Sequence, residues 1–171
     1  PVASQQVLEE ACRELQERAD HGLKGASLRD DPVRLFLCGS CITPNPSHID
    51  SSGGAIVGYD DQWSEICVDV AEEGDPYEAL ARAILSFPYE LPTAERAHWT
   101  ADQARRARAD GLIFMYHWGC NYQSAISRML CDIVKEEAGI PTITLEVGEL
   151  GRAEGLEQPQ NRIEAFIEML E

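Results

Sequence analysis

The chain has 171 residues, a length that supports one domain with a proper core. Apolar residues make up 44% of it beside 26% charged residues, a balance that excludes disorder as the default. With 30 acidic against 14 basic residues the net charge is −16; such a surface repels phosphate backbones and anionic lipid, so neither nucleic acid nor a membrane is an expected partner.

In chain order, residues 4–22 have helical composition, with Val7, Leu8, Ala11, Cys12, Leu15 and Ala19 at helical spacing. This reads as a connecting or capping helix that Gly22 and Gly25 end. Its start, Pro1-Val2-Ala3-Ser4, is no signal peptide and, lacking Met, is expected to belong to a truncated chain. A first strand covers Pro32 to Gly39, and a loop with a short helix near Pro46–Asp50 follows. The second strand is Ala55–Tyr59, ending in Asp60-Asp61. Asp75 then caps, and Pro76 opens, a helix over 77–86. After a proline-broken link, a longer helix over 94–109 precedes the strand Gly111–Tyr116. A helix over 123–138 places Ile126, Met129, Leu130, Ile133 and Val134 on one face, and Gly139 stops it. Strand Ile140–Glu146, a polar loop and an amphipathic helix over 160–170 complete the chain.

Strands alternating with helices predict an α/β fold. The expected architecture is a Rossmann-like three-layer domain: a four-stranded parallel sheet with helices on both faces. Residues 1–31 would be a connecting helix and linker, and residues 32–171 the domain itself. No stretch approaches the about 20 apolar residues that span a bilayer. Six irregularly spaced cysteines, several inside apolar patterns, suit reduced thiols in a cytoplasmic protein rather than a disulfide scaffold.

The most informative segment is His117-Trp118-Gly119-Cys120, between a buried strand and a helix. Ligands of open α/β sheets bind beyond the carboxyl ends of the strands. Cys120 is therefore a ligand or nucleophile candidate at a helix N-terminus, which favours thiolate. The first strand ends in Cys38-Gly39-Ser40-Cys41 at the same edge, and Cys67 follows the second strand. Sulfur-rich sites select iron–sulfur clusters or zinc. Bland readings stand beside these: Cys38 as a core thiol, Cys67 as core or ligand, the Cys38/Cys41 pair as a redox dithiol, and Cys12 and Cys131 as packing. His117 is a candidate ligand, proton donor or structural histidine, with Trp118 shielding the crevice. Ser124 and Gln123 are candidates to cap the helix or contact a substrate oxygen, and Asp60 and Asp61 to bind ribose or metal or merely to turn the chain. No nucleotide-binding fingerprint is present.

Leu35-Phe36-Leu37-Cys38-Gly39-Ser40-Cys41-Ile42, Pro44-Asn45-Pro46 and Gly53-Gly54-Ala55-Ile56-Val57 occur in that order. They are followed by Gly74-Asp75-Pro76-Tyr77, Ala109-Asp110-Gly111-Leu112-Ile113-Phe114, His117-Trp118-Gly119-Cys120 and Glu137-Ala138-Gly139-Ile140-Pro141-Thr142. From about Pro32 to the C-terminus the chain thereby resembles the last domain of the 2-hydroxyacyl-CoA dehydratase / benzoyl-CoA reductase subunit family, including its double-cubane relatives. The resemblance implies an iron–sulfur cluster, of 4Fe-4S or double-cubane type, held by cysteines from two Rossmann-like domains. The preceding domain is absent from these residues, so the isolated domain is expected to be inactive. Implied partners are a homologous subunit, an ATP-dependent activator iron–sulfur protein and an acyl-CoA or small-molecule substrate. The implied chemistry is radical dehydration of a 2-hydroxyacyl-CoA or low-potential reduction. Cys120 matches a family ligand. The family places another cysteine very soon after the Asp-Asp pair, where this chain has Gln62 and Trp63 and reaches Cys67 later, leaving Cys67, Cys41 and Cys38 as alternatives. His117 and Ser124 are the catalytic candidates. A non-catalytic or electron-transfer partner with an incomplete cluster, and a zinc site of Cys38, Cys41 and Cys120 with His117 or Cys67, are the competing readings.

Overall fold

A computed structural model describes residues 2–23, 25, 28–39, 44–61, 68–148 and 157–171. Strands β1 (Val33–Gly39), β2 (Gly54–Asp60), β3 (Gly111–His117) and β4 (Thr142–Val147) form one sheet in the order β2-β1-β3-β4. Every neighbouring pair is parallel. The helices are α1 (Val2–Asp20), α2 (Pro46–Ser51), α3 (Pro76–Leu85), α4 (Thr93–Arg106), α5 (Asn121–Ala138) and α6 (Glu157–Leu170). A 3-10 turn, Pro88–Glu90, stands in the expected proline-broken link. This is the three-layer α/β domain that the alternation of elements predicts.

Successive residues of the central strand β1 serve opposite faces, as the strand period of two demands. Phe36 and Cys38 join Leu112 and Phe114 under α4 and α5, where Ala97, Ala101, Ala104, Ile126, Leu130 and Val134 meet them. Leu35 and Leu37 join Ile113, Met115 and Leu145 on the other side, covered by Ile49 of α2 and by Ile163, Phe166 and Ile167 of α6. The alanine face of α4 keeps side chains short where that helix lies against the sheet and α5.

Local signals explain most boundaries. Asp75 accepts the N–H groups of Tyr77 and Glu78, both at 2.9 Å, and so starts α3 as expected. Asn45 does the same for α2 through Ser47 N–H, at 3.0 Å. Helix α4 ends three residues before the expected Ala109, because Arg108 takes a left-handed conformation with φ +52°. Arg108 N–H then bonds Arg105 O, and Ala109 N–H bonds Ala104 O, both at 3.0 Å. That is a Schellman stop with arginine where glycine is usual, and so without a sequence signal. Helix α5 starts two residues earlier than expected, at Asn121.

Two packing expectations need correction. Met129 is exposed and is not part of the buried face of α5, which Ile126, Leu130 and Val134 carry, with Ile133 packed beside it. Cys12 is exposed, as are Val7, Leu8 and Leu15. The apolar stripe of α1 therefore faces away from the described core.

Candidate metal centre at the carboxyl edge of the sheet

Strands β1 and β3 are neighbours, yet the helices that follow them lie on opposite faces: α2 on one, α5 on the other. The chain therefore parts between the ends of β1 and β3, the switch point where open α/β sheets bind ligands. Gly39 ends β1 there with φ +130°, and a Cβ on it would stand 1.9 Å from the Met115 carbonyl oxygen. Only glycine allows that approach.

Beyond β3, His117 to Cys120 forms a tight turn: Cys120 N–H donates to His117 O at 2.9 Å, and Gly119 takes φ +83° at the third position. Trp118 N–H donates to Val147 O at 2.9 Å, tying the turn to β4. Cys120 is half-buried and is the N-cap of α5. Its thiol makes no capping bond to the helix, and the first-turn N–H groups favour an anion at this end. His117 is half-buried, its ring stacked on that of the exposed Trp118 with centroids 6.3 Å apart. Trp118 thus covers His117 while remaining open to solvent. Ser124 is exposed, and its N–H bonds Cys120 O at 3.0 Å.

Cys38 sits quite differently. It is buried under α4 and α5, and its Sγ donates to Asp60 Oδ2 at 3.1 Å. Burial, with the Asp60 carboxylate adding to it, pushes the Cys38 thiol well above the usual range and keeps its proton on. Ser40, Cys41 and Cys67 lie outside the described residues. Among the described residues, no three His, Cys, Asp or Glu side chains gather closely enough to hold a metal ion.

Beneath this edge lies a polar network that the sequence reading missed. Asp60 and Arg96 are both fully buried, and Arg96 Nη2 and Nε reach Asp60 Oδ1 at 2.9 and 3.2 Å. Thr100 Oγ1 also donates to Asp60. Arg96 Nη2 makes longer contacts to Gly39 O at 3.4 Å and Asp60 O at 3.5 Å. Its guanidinium carbon lies 4.2 Å from the centre of the Tyr89 ring. The Tyr89 hydroxyl in turn accepts from Gln123 Nε2, two residues into α5 from its first residue. Burial raises the Tyr89 phenol above its usual range; Arg96 and the Gln123 bond oppose this, and nearby Cys120 and Tyr122 add to it. Gln123 is fully buried, and its Oε1 has no hydrogen-bond partner among the described residues. One signal was available: on the helical wheel of α4, Arg96 and Thr100 border the small face Ala97, Ala101 and Ala104. A helix buried along that face carries its flanking polar residues inward too.

Fold and crevice together define a Rossmann-like domain with a thiol at its switch point. The chain belongs to the family described as 2-hydroxyglutaryl-CoA dehydratase, D-component, whose model matches residues 1–170. The match takes in α1, ahead of the Pro32 at which the resemblance in the sequence begins. No curated protein matches the chain.

Proposed function

We infer that this dehydratase-type chain is the iron–sulfur domain of a subunit that dehydrates a 2-hydroxyacyl-CoA or reduces an acyl-CoA. The observation that carries this reading is Cys120: a half-buried thiol with no capping bond, on a glycine turn, at the switch-point crevice of a chain in that family.

Access favours a cluster at Cys120 over one at Cys38. Cys120 is half-buried on the turn, whereas Cys38 lies under α4 and α5 with its sulfur bonded to Asp60. Cys120, with Cys67 and Cys41 from the segments after β2 and β1, is therefore the ligand set we assign, in a 4Fe-4S or double-cubane type cluster. A further ligand would come from a preceding domain joined through residues 1–31. When bound, such a cluster would supply one-electron and Lewis-acid chemistry beside Cys120.

The residues of this chain do the rest. Cys120 anchors the crevice floor at the positive end of α5. His117, beside it, holds or delivers a proton, and Ser124 on the exposed first turn donates a hydrogen bond to the thioester oxygen. Trp118 shields His117 and limits water on that side. A homologous subunit completes the pocket, and an ATP-dependent activator iron–sulfur protein delivers the electron. The described cysteines Cys12, Cys38, Cys120 and Cys131 are all free thiols, which suits a reducing cytoplasm. No helix among the described residues is long and apolar enough to cross a membrane.

Anaerobic iron and sulfide analysis, with visible and paramagnetic-resonance spectra, tests the assignment on wild type and Cys120→Ser. A broad charge-transfer absorption that disappears in Cys120→Ser is the expected result. Stoichiometric zinc would replace the cluster with a zinc site. A colourless, metal-free protein would leave a non-catalytic partner subunit.

A further inference from the structure

Arg96 is a fully buried cation on α4 that touches three places at once. It contacts the end of β1 through Gly39 O, the end of β2 through Asp60, and the ring of Tyr89. Tyr89 passes the connection on by accepting from Gln123, in the first turn of the helix whose N-cap is Cys120.

Nothing about the sheet requires this arrangement. Apolar side chains could fill the space under the strand ends, and a buried ion pair is commonly no more stable than such a filling. Gln123 adds a further cost, because one end of its amide is buried without a partner among the described residues. Polar groups kept along one continuous path, where an apolar filling would serve the fold, indicate a positioning role. The path ends at Gln123, in the first turn of the helix that Cys120 caps.

We propose that Arg96, Tyr89 and Gln123 form a positioning relay, in which a buried guanidinium braced on the ends of β1 and β2 fixes the first turn of α5 and with it the Cys120 sulfur. The relay rests on the reading of Cys120 as a ligand, and it assigns its members a positioning role. Outer partners of this kind orient ligands, and their loss commonly weakens metal retention tenfold or more.

The test uses the full 171-residue chain as wild type, Tyr89→Phe, Gln123→Leu and the double variant. Tyr89→Phe keeps the ring over Arg96 and removes only the hydroxyl, so folding is preserved; Gln123→Leu removes the same bond from the other side. In metal-free protein, iodoacetamide labelling at fixed pH is mapped to Cys120, with exposed Cys12 as internal reference. Each single variant is expected to label Cys120 about fivefold faster at an unchanged Cys12 rate, as loss of one local hydrogen bond implies. The double variant is expected to match the singles, since both break one connection. After anaerobic reconstitution with iron and sulfide, the variants should lose iron to a chelator about tenfold faster, with an unaltered spectrum. Cys120 labelling within twofold of wild type in both single variants, or additive effects in the double, overturns the relay. If wild type takes up no iron, the cluster assignment fails, and the metal-free labelling still decides the relay.

Discussion

At the amino edge of the sheet, Arg34 and Asp110 meet through two side-chain bonds of 2.9 and 2.5 Å, with a third or more of each side chain in water. At the carboxyl edge Arg96 and Asp60 meet at 2.9 Å with no exposure at all. The residue types are the same and the physics is not. Water screens the first pair, which joins the start of β1 to the turn before β3 and contributes modestly. The second pair has lost its hydration entirely, so each ion depends on the other, and removing one leaves a charge stranded in the core. Among the described residues, the buried charges Asp60, Asp61 and Arg96 lie on the side where the chain parts and Cys120 sits. The contrast separates a clamp, which tolerates loss, from a fixture, which does not.

The largest effect tests the stranded charge. Arg96→Met is expected to lower unfolding stability by about 3–5 kcal/mol, and Asp60→Asn added to it should recover most of that, because a removed pair costs far less than a broken one. Urea unfolding of the single and double variants measures both. Equal losses in single and double would end the distinction between the two edges.

Gly39→Ala probes the close approach at the same edge. Its Cβ would meet backbone at 1.9 Å in a φ +130° conformation, so a loss of about 3 kcal/mol is expected in the same assay.

Alkaline pH probes Cys38. Burial raises its folded-state pKa above the unfolded value, so the stability it contributes is complete below the unfolded thiol pKa of about 8.5 and declines as pH rises beyond it. The slope is expected to be at most about 1.4 kcal/mol per pH unit. Denaturant melts of wild type against Cys38→Ala between pH 7 and pH 10, on the order of a unit apart, would show the difference narrowing upward.

The smallest effect belongs to the amino edge. Asp110→Asn should cost about 1 kcal/mol or less once solvent screening is counted. The Arg34 side chain holds the Asp110 carboxyl below its usual range against the opposing effect of burial, with Arg34 N–H adding to the bond. The contribution is therefore present above the unfolded carboxyl pKa of about 3.9 and is lost as pH falls through the lower folded value. Wild type and Asp110→Asn should converge in acid.

The layer architecture was legible in the chain because strand and helix periods are local. Leu35 and Leu37 alternate with Phe36 and Cys38 on a strand, and Ile126, Leu130 and Val134 recur on a helix, whatever lies around them. Asp75 before Pro76, and Gly139 after α5, are likewise local signals with local causes. The stop at Arg108 was invisible, since its left-handed backbone is imposed by the closing bonds to Ala104 and Arg105 rather than by residue type. So was the exposure of Met129, whose helical spacing fits the buried face equally well.

For the site, sequence by itself determined that Cys120 follows a buried strand and opens a helix, and that is enough to place it at the ligand edge of a parallel sheet. It could not distinguish Cys38 from a rim thiol, because the side to which a strand-end residue points depends on register and on what packs above it. Only the tertiary structure decided that Asp60, Arg96, Tyr89 and Gln123 are one connected group. Arg96 stands 36 residues from Asp60 along the chain, and hydrogen bonds across such separations come from the way β2, α4 and α5 pack, which no local pattern encodes.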